Sequence, residues 1–121
     1  MNLRVDCRSP AEAWERFLEF SPGSREGCHN LEGLAAAKPD GLLDPKSAGK
    51  YRIEWAEAAA RADSPSRRLA ALREWQRAEL VRLAFTDFAT LPPAGESSAR
   101  YTALAEFVLG TALTLARDKA P

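Results

Sequence analysis

Two cysteines, one histidine and one methionine in 121 residues leave little material for several kinds of chemistry. Cys7 and Cys28 are too few for a disulfide framework, and with His29 as the only histidine no Cys/His spacing matches a zinc site. Both cysteines read as free, buried thiols of a reducing cytoplasm. No apolar run approaches the ~20 residues that cross a bilayer. The opening Met1-Asn2-Leu3-Arg4-Val5-Asp6 lacks the basic start and apolar centre of an export signal, so the expected location is cytoplasmic. Charge of one sign is missing as well: 17 Lys plus Arg balance 17 Asp plus Glu. A general electrostatic grip is therefore not expected, and neither nucleic acid nor membrane counts among the expected partners.

What remains is an ordinary globular composition, 45% hydrophobic and 28% charged, in a length that suits one domain. Three Ser/Asp-Pro steps read as helix starts, because proline at the first helical position gives up an N–H that has no partner there. Ser9-Pro10-Ala11-Glu12 has the form of a capping box and opens a helix to about Phe20 that buries Trp14, Phe17 and Leu18. Gly27, Asn30 and Gly33 break the stretch from Ser24 to Ala37 into two short helices, and Lys38-Pro39-Asp40-Gly41 is a turn. Asp44-Pro45 opens a helix to about Ala62 with a stripe of Tyr51, Trp55, Ala58 and Ala59 beside Ile53. Ser64-Pro65 caps the longest helix, Pro65 to Thr90, whose stripe is Leu69, Leu72, Gln76, Leu80, Leu83 and Ala84, widened by Trp75, Phe85 and Phe88. After the stiff Leu91-Pro92-Pro93, Ser97 or Ser98 caps a last helix to about Asp118 with Tyr101, Leu104, Ala105, Val108, Ala112 and Leu115 on one face. Only Arg4-Val5-Asp6 hints at extended structure. The expected fold is all-α, an irregular helical bundle of four to six helices in one domain over 1–121, with shorter helices over 1–63 and a long helical hairpin over 64–121.

Signs of catalysis are few. Cys28 and His29 are adjacent, and neighbours on a helix point about 100° apart, so they do not form a nucleophile–base pair. Metal-assisted nucleotide transfer needs carboxylates presented together, typically as Asp-x-Asp after a Gly-Gly or Gly-Ser turn. Gly23-Ser24 is present without the acidic pair, and Asp40 and Asp44 are explained by turn and capping duties. No phosphate-cradling loop or dinucleotide fingerprint occurs. No catalytic, cofactor-binding or metal-binding residue is assigned. The uneven feature is the run from Arg61 to Arg82, where Arg61, Arg67, Arg68, Arg73, Arg77 and Arg82 meet only Asp63, Glu74 and Glu79. Part of this is helix-surface pairing. Several of these arginines, with Trp75, also suit an anchoring surface, since a guanidinium forks bidentately and keeps its charge when buried. Arg73, Trp75, Arg77, Glu79 and Arg82 are the candidate interdomain or partner contacts.

Leu72-Arg73-Glu74-Trp75-Gln76-Arg77-Ala78-Glu79-Leu80-Val81-Arg82-Leu83-Ala84-Phe85-Thr86-Asp87 resembles a helix of bacterial glutamine synthetase adenylyltransferase/adenylyl-removase. That helix reads approximately Leu-Arg-x-(Phe/Trp)-(Lys/Arg)-x-x-(Glu/Gln)-(Met/Leu)-Leu-Arg-Ile-Ala-x-x-Asp. Leu72, Arg73, Trp75, Glu79, Leu80, Arg82, Ala84 and Asp87 match it, while Gln76, Val81 and Leu83 depart mildly. The run from Tyr101 to Leu113 is similar to the family's following helix, Leu-x-x-Leu-Ala-(Asp/Glu)-x-x-Leu-x-x-Ala-Leu. Phe20-Ser21-Pro22 and Leu42-Leu43-Asp44-Pro45 look like its earlier helices.

The resemblance implies a helical portion lying before a nucleotidyltransferase domain, whose Gly-rich turn and Asp-x-Asp ligands have no counterpart here. Mg and ATP or phosphate are implied only for that domain, and no cofactor for this chain. Glutamine synthetase and a PII-type regulator are the implied partners, in nitrogen regulation. The expected function is a non-catalytic scaffold for the nucleotidyltransferase domain or a binder of a protein partner. The alternative is a free-standing helical interaction module that self-associates through Trp14, Trp55 or Trp75.

Overall fold

In the computed structural model, residues 3, 4, 6–25 and 39–119 are described. Among them lie four α-helices and no strand: α1 (Pro10–Phe20), α2 (Ala48–Ala60), α3 (Pro65–Thr90) and α4 (Ala94–Lys119), with single 3₁₀ turns over Pro22–Arg25 and Pro39–Leu43. The chain is all-α, as its period and caps imply. The two short helices expected between Ser24 and Ala37 fall largely outside the described residues, as do Cys28 and His29.

Helices α1, α2 and α3 begin where a serine side chain accepts from one of their first free N–H groups. Ser9 caps α1 by accepting from the Glu12 N–H at 3.2 Å. The Glu12 carboxylate reaches back to the Arg8 N–H at 3.0 Å, one residue before the position that the capping box assigns it. Ser64 caps α3, accepting from the Arg67 N–H at 3.2 Å. Two starts differ from expectation. α2 is capped by Ser47, which accepts from the Lys50 N–H, and not by Asp44. The Asp44 and Leu42 carbonyls instead accept from Arg82, which holds that backbone outside the helix. α4 begins directly after Pro93, whose carbonyl accepts from the Glu96 and Ser97 N–H groups. The Ser97 hydroxyl, freed from capping, donates to Asp87 at 2.7 Å and ties α4 to the end of α3.

Helix α3 is the axis of the molecule. On its C-terminal half, Phe85 and Ala89 pack with Trp14, Phe17, Leu18, Leu42 and Cys7 in a first core cluster. Trp14 meets Phe85 edge-on with centroids 5.1 Å apart, a favoured aromatic geometry. Cys7 is a buried free thiol. In the second cluster Tyr51, Leu83 and Leu104 are buried, with Trp75, Tyr101, Phe107 and Val108 packed around them. The hint of extended structure at Arg4 becomes one backbone tie, its N–H donating to the Ala89 carbonyl at 2.7 Å, with the guanidinium over the Phe88 ring at 4.4 Å.

The apolar stripes need correcting in three places. Leu69 and Leu80 of α3 are 39% and 40% exposed, whereas Glu79 and Arg82 are 3% and 2% exposed and Thr86 is buried. Aromatic burial decides this rotation: turning α3 to hide Leu80 would draw Trp75 and Phe85 out of the two clusters, which is the larger loss of apolar area. Ile53 of α2 is exposed. On α4 Ala105 is exposed, while Phe107 packs against Tyr51 and Trp75.

Candidate functional site: a buried charge cluster and an open helical face

Glu79 is the centre of a cluster in which each charged group is paired. One carboxylate oxygen accepts from the Tyr51 hydroxyl at 3.0 Å, from Arg82 Nε at 2.9 Å, and from Arg82 Nη2. The other accepts from Lys46 Nζ at 3.0 Å. Lys46 also donates to Glu54, whose Oε1 takes the Trp75 indole N–H at 3.2 Å. Arg82 Nη1 donates to the Leu42 and Asp44 carbonyls at 3.1 and 3.0 Å. The cluster thus binds α3 to α2 and to the segment before α2.

Electrostatics follow from this crowding. Burial pushes the Glu79 carboxyl up, but Arg82 and Lys46 outweigh it and hold the group below the usual carboxylate range. Burial likewise disfavours the Arg82 cation, and Glu79 more than restores it, so the guanidinium stays charged. Burial, reinforced by the Glu79 charge, pushes the Tyr51 hydroxyl up to about 12.

The five candidate contact residues divide. Glu79 and Arg82 are engaged inside the fold and offer no surface to a partner. Their i,i+3 spacing on one helix face made the pair legible, but not its depth. Trp75 is half-buried, its ring against Tyr51 at 5.2 Å and Phe107 at 5.3 Å. Trp14 is buried in the first cluster. Trp14 therefore presents no surface to a second molecule. Arg73 and Arg77 are exposed. The sequence pattern does not mark Lys46, Tyr51 and Glu54 as members of the cluster. Tyr51 read as one more apolar position, and nothing in the local pattern distinguishes Lys46 from a solvated lysine.

Beside the cluster is a cleft of about 250 Å³, with Leu43, Pro45, Leu83 and Ala103 in its walls and Lys46 and Arg100 among its polar groups. Arg100 donates to Glu96 at 2.6 Å through Nη2, while its buried Nη1 meets no acceptor among the described residues. The cluster's carboxylates are tied to cations, so the arrangement locks helices together and presents no base or nucleophile to a substrate. Among the described residues no group of three or more His, Cys, Asp or Glu is placed to hold a metal ion, and no helix is long and apolar enough to cross a membrane.

In comparison with known proteins, the model of a family described as glutamate-ammonia ligase adenylyltransferase matches residues 31–121, well over half of the chain. No curated protein and no solved structure matches.

Proposed function

The chain belongs to the glutamate-ammonia ligase adenylyltransferase family, and from that premise we propose that it serves as a non-catalytic helical portion of such a protein, scaffolding a nucleotidyltransferase domain or holding a protein partner in nitrogen regulation. One observation carries the reading. Glu79 and Arg82, two of the residues in the family-like stretch of α3, point inward and close the Lys46–Tyr51–Glu54 cluster. A pattern with two charged members that brace the interior supports an architectural role; an active site would turn them toward a substrate. On this reading Mg and ATP or phosphate are handled by the nucleotidyltransferase domain, and the chain meets that domain, glutamine synthetase or a PII-type regulator in the cytoplasm through its exposed surface.

The reading is tested by incubating the purified chain with radiolabelled ATP, Mg and glutamine synthetase, and separately by offering it adenylylated glutamine synthetase and phosphate. No label is expected to move in either direction. Transfer or release that depends on the chain, in preparations free of other nucleotidyltransferases, overturns the proposal.

A further inference from the structure

Among the described residues, α2 covers the hairpin of α3 and α4 on one side, and α1 lies against α3. Asp87 bonds Ser97 near the turn and Trp75 meets Phe107 further along, so the two helices run antiparallel. α2 approaches through Trp75, Glu79 and Arg82 on α3 and through Phe107 on α4. At about 100° per residue, Leu69, Arg73 and Leu80 lie around the α3 surface on the far side of the hairpin from α2. The same construction on α4 places Ala105, Leu109, Ala112 and Ala116 on that far side, because antiparallel helices turn in opposite senses about their shared seam. The two sets therefore form one continuous face.

That face is unusual for a surface meeting water. Leu69 and Leu80 are 39% and 40% exposed and Leu109 is 63% exposed. From Tyr101 to Ala116, α4 carries one charged residue, Glu106, although a solvent-facing helix side normally bears several. The alanines keep the floor low, so another helix can approach closely and seat its side chains between the leucines. Beside this floor stand Arg73 and Arg77, both exposed and, among the described residues, in no ion pair. The surface has an apolar floor and a positive rim.

We propose that this face is the docking surface for an amphipathic helix of a partner polypeptide, apolar along its middle and acidic along the edge that meets Arg73 and Arg77. Apolar anchors one and two turns apart suit the leucines, and carboxylates at i,i+4 suit the arginine pair. The inference rests on the reading of the chain as a scaffold and adds the chemistry of what it holds.

The test uses the whole chain and two synthetic helical peptides that share a leucine stripe and differ in having glutamates or lysines along one edge. Titration calorimetry measures affinity, and amide chemical shifts locate the site. The glutamate peptide is expected to bind about tenfold more tightly than the lysine peptide, with an affinity that falls as salt rises. Its shifts should centre on Leu80 and Leu109. The double substitution Arg73→Glu/Arg77→Glu should reverse the preference, and Leu109→Lys, at an exposed position that leaves the helical circular dichroism unchanged, should abolish binding of both. Equal binding of the two peptides, binding indifferent to Leu109→Lys, or no binding overturns the proposal. So does self-association that Leu109→Lys removes, since the occupant is then a second copy. The label-transfer assay does not involve this face, so the two readings fail separately.

Discussion

At the scale of single residues, the energetics concentrate at Glu79 and Arg82. Removing one member of a buried ion pair leaves the other uncompensated, a loss of about 3–5 kcal/mol. Arg82→Met should therefore lower the free energy of unfolding by roughly that amount in urea titrations, because Glu79 keeps Lys46 as its one cation and the Leu42 and Asp44 carbonyls lose their Arg82 donor. The same groups set the pH dependence. Glu79 has a depressed folded pKa, so its contribution is complete above the unfolded value of about 4.5 and disappears as pH falls through the folded value. Tyr51 titrates in the opposite sense: its folded pKa is raised, so stability declines as pH climbs from about 10 to about 12. Unfolding midpoints measured across both ranges should flatten at the acid end in Glu79→Gln and at the alkaline end in Tyr51→Phe.

At the scale of helices, the sequence speaks through caps more reliably than through stripes. Ser64-Pro65 and Thr90-Leu91-Pro92 bound α3 at the expected residues because these signals are local, a capping hydroxyl at one end and a missing N–H beyond the other. The starts of α2 and α4 moved because their alternatives were decided by distant partners, Arg82 for the Asp44 carbonyl and Asp87 for the Ser97 hydroxyl. The stripe of α3 misled for a related reason. An apolar count favours Leu80 over Glu79, yet Tyr51 of α2, Lys46 from the segment before it and Arg82 one turn along α3 converge on the glutamate and make it the better-buried residue. Of the candidate contacts, Arg73 and Arg77 were legible as surface, while Glu79 and Arg82 carried the same sequence signal and went inside. Leu91 ends α3 in a left-handed conformation at φ 47°, which costs a non-glycine residue about 1–2 kcal/mol. Its side chain is exposed, so Leu91→Gly sacrifices little burial and should raise the thermal midpoint, with a gain of about 0.5–1 kcal/mol.

At the scale of the whole molecule, α3 joins two apolar clusters that share no other helix, since α1 packs on one side of it and α2 with α4 on the other. Cooperative unfolding then depends on what couples the halves, and Arg82 is placed to do so: it reaches Leu42 of the first cluster while holding Glu79 beside Tyr51 of the second. Native-state hydrogen exchange should find α1 and α4 opening at the same free energy in the parent chain. In Arg82→Met, α1 should open first, by about 1 kcal/mol or more, as a separate unit. The guanidinium also acts as a length gauge. Its Nη1 touches two carbonyls only two residues apart, and Lys46 must still arrive at Glu79 a further two residues on. An inserted glycine between Leu42 and Lys46 would leave one oxygen or the ammonium out of reach, whereas a change of side chain at Asp44, which contributes only its backbone there, would not. That short stretch is specified by its number of peptide units more than by the letters that spell it.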